Sequence, residues 1–326
     1  MIALAVHRVV TLICDKVACM FRVIVFCLCL GCMGFAQQSP SCRIEVPAAV
    51  FGTDSLALAS NYSPRDLKIR LDGRETICDF SVNRAQRLVV LVDHRESMVE
   101  YWATLAHTLP EVLAAAKEEE NLSLVILDEA VTRVDNRKEG SNAASSLSTP
   151  KAQGTRSIYD VLSDLSTTLQ PGDAVVVLTS GMDTPIGPEE IAGLRSTLVQ
   201  HGVRISSILF LKQGEQAIDV LLGPYELKWL ALATGGSSLA VKPSRQLSKA
   251  TLLPSDFMLN VMKYSVLELE LPEGSASQRL AVTWRHPVKQ SPPFVVPETV
   301  GPCPPAVSAS LITRPPSKPR EGIDSK

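Results

Sequence analysis

The chain has 326 residues, with 32 Lys and Arg against 34 Asp and Glu and a formal net charge of −2. A hydrophobic fraction of 45% and a charged fraction of 20% exclude wholesale disorder. The near-neutral charge excludes a general nucleic-acid binder, which needs a basic footprint. Of 22 prolines, ten follow Arg285, and of eight cysteines, five precede Ala36, so the averages conceal segments of different character.

The first such segment is the apolar run Val23 to Phe35, preceded by Arg22 and followed by Ala36. A basic start, an apolar stretch and a small-x-small end (Gly34-Phe35-Ala36) form the pattern of a secretory signal over residues 1–36. The run is too short to span a hydrocarbon core of about 30 Å as a helix. Asp15 and Lys16 sit awkwardly ahead of it, so Met20 gives a cleaner start, with the mature chain beginning near Gln37. The rival is a lipoprotein signal lipidated at Cys32, although Cys29 stands where such signals usually carry Leu. Either way the expected location is exported, periplasmic or extracellular, with no membrane span after cleavage. Cys42, Cys78 and Cys303 then remain. Cys42 and Cys78, both in strand-like sequence, are the disulfide candidates, leaving Cys303 free or paired between chains; three separate thiols are the alternative.

Residues 37–87 read as a β-rich module, with Asp72-Gly73 a hairpin turn signal between alternating segments. Residues 88–243 then alternate strand and helix. Leu88–Val92 is a continuous apolar run, as expected of a strand buried on both faces, Ala174–Leu178 is another buried strand, and Leu122–Leu127 and Val203–Leu211 also read as strands. Tyr101–Glu119, Ser157–Leu169, Pro188–His201 and Tyr225–Thr234 carry helical periodicity, with Pro110 expected to kink the first or restart it. The fold class is therefore α/β, a doubly wound, mostly parallel sheet with helices on both faces, flanked by small β-rich segments. Arg137–Gly154, rich in Ser, Ala, Asn and Gly, reads as a mobile loop. Residues 244–296 read as a second β-rich extension and 297–326 as a Pro-rich disordered tail.

The order VVLVD-x-x-x-SM, GT-x-x-IYDVL, VVVLTSG-x-D and KWLALATGG resembles a von Willebrand factor A domain of the secreted bacterial kind, over about Arg43 to Pro287. The resemblance implies a metal-ion-dependent adhesion site built from Asp-x-Ser-x-Ser, a later Thr and a last Asp. Asp93, Ser97 and Thr155 match that pattern; the first Ser is Arg95 and the last Asp is Ser180. Losing a carboxylate and gaining a guanidinium both disfavour Mg²⁺, so the site is expected to be degenerate, with Arg95 paired to Asp93. If a metal binds, Asp93, Ser97, Thr155 and Asp183 are its ligands, although capping of the next helix or turn is the plainer role for Asp183.

His94 and His107 are expected at the surface, and Trp102, Trp229 and Trp284 in packing. Without a nucleophile elbow, P-loop or dinucleotide glycine pattern, no enzyme is expected and no catalytic residue is assigned. The leading expectation is a non-catalytic interaction module presenting Arg95, Glu96, Thr155 and Asp183 to an unknown protein partner. The alternatives are a divalent-metal-dependent adhesin binding an acidic residue of its partner, and an enzyme accessory subunit.

Overall fold

A computed structural model describes residues 41–51, 58, 61–116, 121–151, 154–183, 186–211, 222–241, 253–287 and 291–303. The expected signal segment, the tail beyond residue 303 and the end of the expected helix Tyr101–Glu119 lie outside them. Everything described apart from Ser41 belongs to one compact unit, Cys42–Pro305.

The chain opens with β1 (Ser41–Pro47), β2 (Ala49–Val50), β3 (Leu67–Leu71), β4 (Arg74–Thr76) and β5 (Cys78–Arg84). The β3–β4 hairpin turns where expected, with both Asp72 (φ 47°) and Gly73 (φ 81°) in the left-handed region that a two-residue turn of this hand requires. Next come β6 (Arg87–Asp93), α1 (Trp102–Ala114), β7 (Asn121–Leu127), β8 (Val131–Val134), α2 (Arg137–Ser146), α3 (Ile158–Ser166) and β9 (Ala174–Thr179). The chain continues with α4 (Pro188–Gln200), β10 (Arg204–Phe210), α5 (Leu222–Ala233), β11 (Ser238–Val241), α6 (Ser255–Met262), β12 (Lys263–Pro272), β13 (Gln278–Trp284), β14 (Phe294–Val295) and β15 (Thr299–Val300).

The central sheet runs β11-β10-β9-β6-β7-β8, parallel except for β8 at its edge. In register, Val90 of β6 lies between Leu124 of β7 and Val176 of β9. Alternate residues of each strand feed two cores. On one face Leu88, Val90 and Val92 pack with Leu105, Leu109 and Val112 of α1 and Phe257 and Val261 of α6. On the other, Val89 and Leu91 pack with Val161, Leu162 and Leu165 of α3, Leu194 and Leu198 of α4 and Leu230 of α5. Full burial of each such side chain contributes about 1.5–3 kcal/mol, which is why Leu88–Val92 and Ala174–Leu178 read as unbroken apolar runs. The fold is the doubly wound α/β class anticipated, with helices on both faces.

Three expectations need correction. Arg137–Gly154 is not simply a loop: α2 occupies its first half, started by Asn136, whose side chain accepts from the backbone N–H groups of Lys138 (2.9 Å) and Glu139 (3.3 Å). The segment after Pro297 is ordered as far as Cys303, since β15 pairs with β13 and Cys303 is buried. The disulfide joins Cys42 to Cys303, with Cα atoms 6.0 Å apart, and Cys78 is a buried free thiol. Sequence proximity favoured Cys78, whereas strand pairing brings the two ends of the folded chain together.

That pairing makes the leading and trailing β segments one sandwich. β12 lies between β1 and β5, while β13 lies between β15 and β3. Leu67, Ile69 and Leu71 meet Leu267, Leu269, Leu271 and Leu280 in its core. The sandwich joins the central sheet at the amino ends of its parallel strands. There Arg204, at the start of β10, donates to the carbonyls of Val261 (3.1 Å) and Asn260 (3.4 Å) at the end of α6 and of Lys263 (3.2 Å) at the start of β12. Its guanidinium also lies 4.3 Å from the ring centre of Tyr264. Burial pushes the Arg204 pKa down to about 10 despite the Tyr264 ring.

Candidate functional site

The opposite, carboxyl edge holds the candidate site. β6 leads out to β7 on one side, while its other neighbour is β9, so the strand order reverses between β6 and β9. In a doubly wound sheet, the crevice beyond such a switch point is where ligands bind. Asp93 ends β6 and Thr179 ends β9.

Asp93 is fully buried and Arg95 is 7% exposed. The Arg95 Nε donates to Asp93 Oδ1 (2.8 Å), and one terminal nitrogen donates to Asp93 Oδ2 (3.1 Å) and Asp183 Oδ2 (3.2 Å). The other terminal nitrogen donates to Asp183 Oδ1 (3.2 Å) and the Arg156 carbonyl (3.0 Å). A guanidinium carries five N–H groups, and here each has an acceptor. Burial alone would push the Arg95 pKa down; the hydrogen bonds and charge of Asp93, then those of Asp183, more than reverse it and hold the pKa above the usual arginine value.

The rest of the shell fixes these carboxylates. Thr179 Oγ1 donates to Asp93 Oδ2 (2.7 Å) and accepts from the Gly181 N–H (2.9 Å). Asp183 accepts from the Ile158 N–H at the start of α3 (2.5 Å), so it caps a helix, but the preceding α3 rather than the α4 that follows it. Ser157, the N-cap of α3, forms a capping box with Asp160. Nearby, burial first and the neighbouring Glu226 second push the Tyr159 phenol up. Gly154 passes against Arg95 with φ +52°, and a Cβ there would lie 2.7 Å from Arg95 Cδ and 2.8 Å from the Asp128 carbonyl oxygen. Only glycine fits that approach.

The structure thus gathers Asp93, Arg95 and Asp183. Ser97 lies beside them with its Oγ buried and without a hydrogen-bond partner. Thr155 is exposed and lines a separate groove between α3 and α4, with Ser163 and Thr197. Ser180 is buried, its N–H donating to Met98 Sδ (3.0 Å) and its Oγ accepting from the Met182 N–H (3.4 Å). Thr179 was missed by sequence reasoning; its signal is a hydroxyl closing an otherwise apolar strand. His94 is also corrected: it is 5% exposed, with Nε2 2.7 Å from the Ser148 carbonyl, Nδ1 2.9 Å from Asp128 Oδ2 and its ring edge-on to Trp102. His107 sits on the outer side of α1 near Glu111.

The resemblance implies a divalent cation here. The guanidinium lies between the carboxylates that would have to share the ion, and it brings a positive charge to the same place. A concavity opens above, lined by Arg95, Glu96, Ser97, Gly154 and Met182. Among the described residues, no helix is long and apolar enough to cross a membrane.

No protein-family model matches the chain. No curated protein matches it either. Among solved structures, it is similar to proximal thread matrix protein 1 from the mussel byssus, at 14% identity over 57% of this chain and 49% of that one, with a TM-score of 0.41. The chain therefore spans about half the length of that mussel protein. It is similar to a von Willebrand factor type A protein from Catenulispora acidiphila, at 10% identity over 78% of this chain and 73% of that one, with a TM-score of 0.39. Manganese-loaded TRAP protein of Plasmodium vivax matches at 14% identity over 68% of this chain and 97% of that one, with a TM-score of 0.37.

Proposed function

We propose that this chain is an exported, non-catalytic protein-interaction module that engages its partner at the carboxyl edge of the central sheet without a divalent metal. One observation carries the reading: Arg95 bridges Asp93 and Asp183 with every N–H engaged, so a tethered cation takes the place of a free one. A guanidinium keeps its charge throughout the ordinary pH range, so the arrangement does not depend on metal supply. Export rests on the apolar run before Ala36 and on a disulfide of the kind oxidising compartments maintain.

The test is calorimetric titration of the wild-type protein and of Arg95→Ser with Mg²⁺ and Mn²⁺. The wild type is expected to show no binding. Arg95→Ser restores the spacing Asp-x-Ser-x-Ser and removes the competing charge, so it is expected to gain measurable Mn²⁺ affinity. Micromolar binding by the wild type that disappears in Asp93→Ala would sink the proposal and favour a metal-dependent adhesin.

A further inference from the structure

The charge left at this edge, once Arg95 substitutes for a metal, sets what the edge can bind. Two buried carboxylates, Asp93 and Asp183, face one guanidinium, leaving a net negative charge beneath the concavity. Glu96 adds a second negative charge at its exposed rim. Arg95 lines the concavity but holds no N–H in reserve for an incoming carboxylate. The neighbouring Arg156 is engaged by Asp164 at 2.5 Å. An acidic side chain would therefore meet net repulsion from the described lining, whereas a basic one meets a favourable field.

Apolar and polar contacts point the same way. Met182, 44% exposed, lines the concavity, and Val99, 42% exposed, follows on the turn after β6. The Met182 thioether suits the methylene stem of a long cationic side chain, which covers apolar surface while its head group stays among polar atoms. The exposed Glu96 carboxylate supplies the polar atoms at the same place.

We propose that the concavity beside Arg95 receives a lysine or arginine of a protein partner, with its stem along Met182 and its head group against Glu96. This rests on the metal-independent reading above and names the partner chemistry that follows from it: the charge preference is opposite to that of a site completed by a partner's carboxylate.

The experiment pans a displayed library of random peptides against the immobilised full chain, with EDTA present and again with Mg²⁺, and sequences the retained peptides. At least a threefold enrichment of Lys plus Arg over the input library is expected in both conditions, with Asp and Glu depleted. Glu96→Lys, a change at an exposed position, should abolish that enrichment, and Met182→Ser should weaken retained peptides several-fold; matching circular dichroism spectra establish that both variants fold. Enrichment of acidic residues in EDTA, enrichment unaffected by Glu96→Lys, or no enriched peptide at all overturns the inference. Binding that appears only with Mg²⁺ overturns the metal-independent reading instead, so the two failures are distinguishable.

Discussion

Arg95 is held by acceptors from three separated parts of the chain: Asp93 two residues earlier, the Arg156 carbonyl before α3, and Asp183 beyond β9. Removing one partner from a buried charge network leaves the others uncompensated, a loss of about 3–5 kcal/mol. Arg95→Ala is expected to fall in that range, measured by urea unfolding at neutral pH. Arg95→Lys should recover only part of it, because an ammonium does not reproduce the planar fork that grips both carboxylates. A loss below about 1 kcal/mol for Arg95→Ala would show that the bridge is solvated and weak. Much of this centre was legible in the sequence. An aspartate closing a buried strand, with an arginine two residues on, leaves few alternatives to an ion pair. Thr155 shows the limit of matching letters to a pattern, because the backbone after Gly154 carries its side chain out to the surface. Thr179 was invisible for the converse reason: it fits no position of that pattern, yet strand register places its hydroxyl on Asp93.

At the scale of elements, the parallel strands were readable because burial on both faces demands mostly apolar sequence, although β10 also buries Arg204, Ser206 and Ser207. Helix α2 was not readable from composition. Its serines, asparagine and glycine are poor helix formers, and the hydroxyls of Ser145 and Ser146 bond back to the carbonyls of Ser141 and Ala143, so it depends on the Asn136 cap and on packing. Nor could periodicity show that β5 and β12, separated by the whole central sheet, would pair as neighbours. Their pairing buries Cys78, and burial, with a smaller contribution from Asp79, pushes that thiol up to about 11 from an ordinary 9.0. The folded chain therefore keeps a proton that the unfolded chain releases. Stability from this source is complete below about pH 9 and declines as pH rises towards 11. Urea midpoints measured from pH 8 to 11 should fall more steeply for the wild type than for Cys78→Ala. Equal slopes would remove Cys78 from the account.

At the scale of the whole molecule, the sandwich and the candidate site occupy opposite ends of the central strands. β1 and β15 both belong to the sandwich, and Cys42–Cys303 closes it covalently. In the chain-entropy account, cross-links that close loops of 100 residues or more stabilise by about 4–5 kcal/mol. The double variant Cys42→Ser/Cys303→Ser is expected to lose roughly that much, and hydrogen exchange should show β1 and β15 opening before β6 and β9. Uniform protection loss across both regions would show that sandwich and sheet unfold as one. The same bond has a mechanical consequence. A pull applied between the segments flanking Cys42 and Cys303 travels through two sulfur atoms and bypasses the 261 positions of sequence that separate them. Tension on the chain's ends therefore never reaches the Arg95 edge while the bond is intact. Only a reductant would put the domain in series with the load, which makes the redox state of the surroundings, rather than the strength of the pull, decide whether the Arg95 edge is exposed to force.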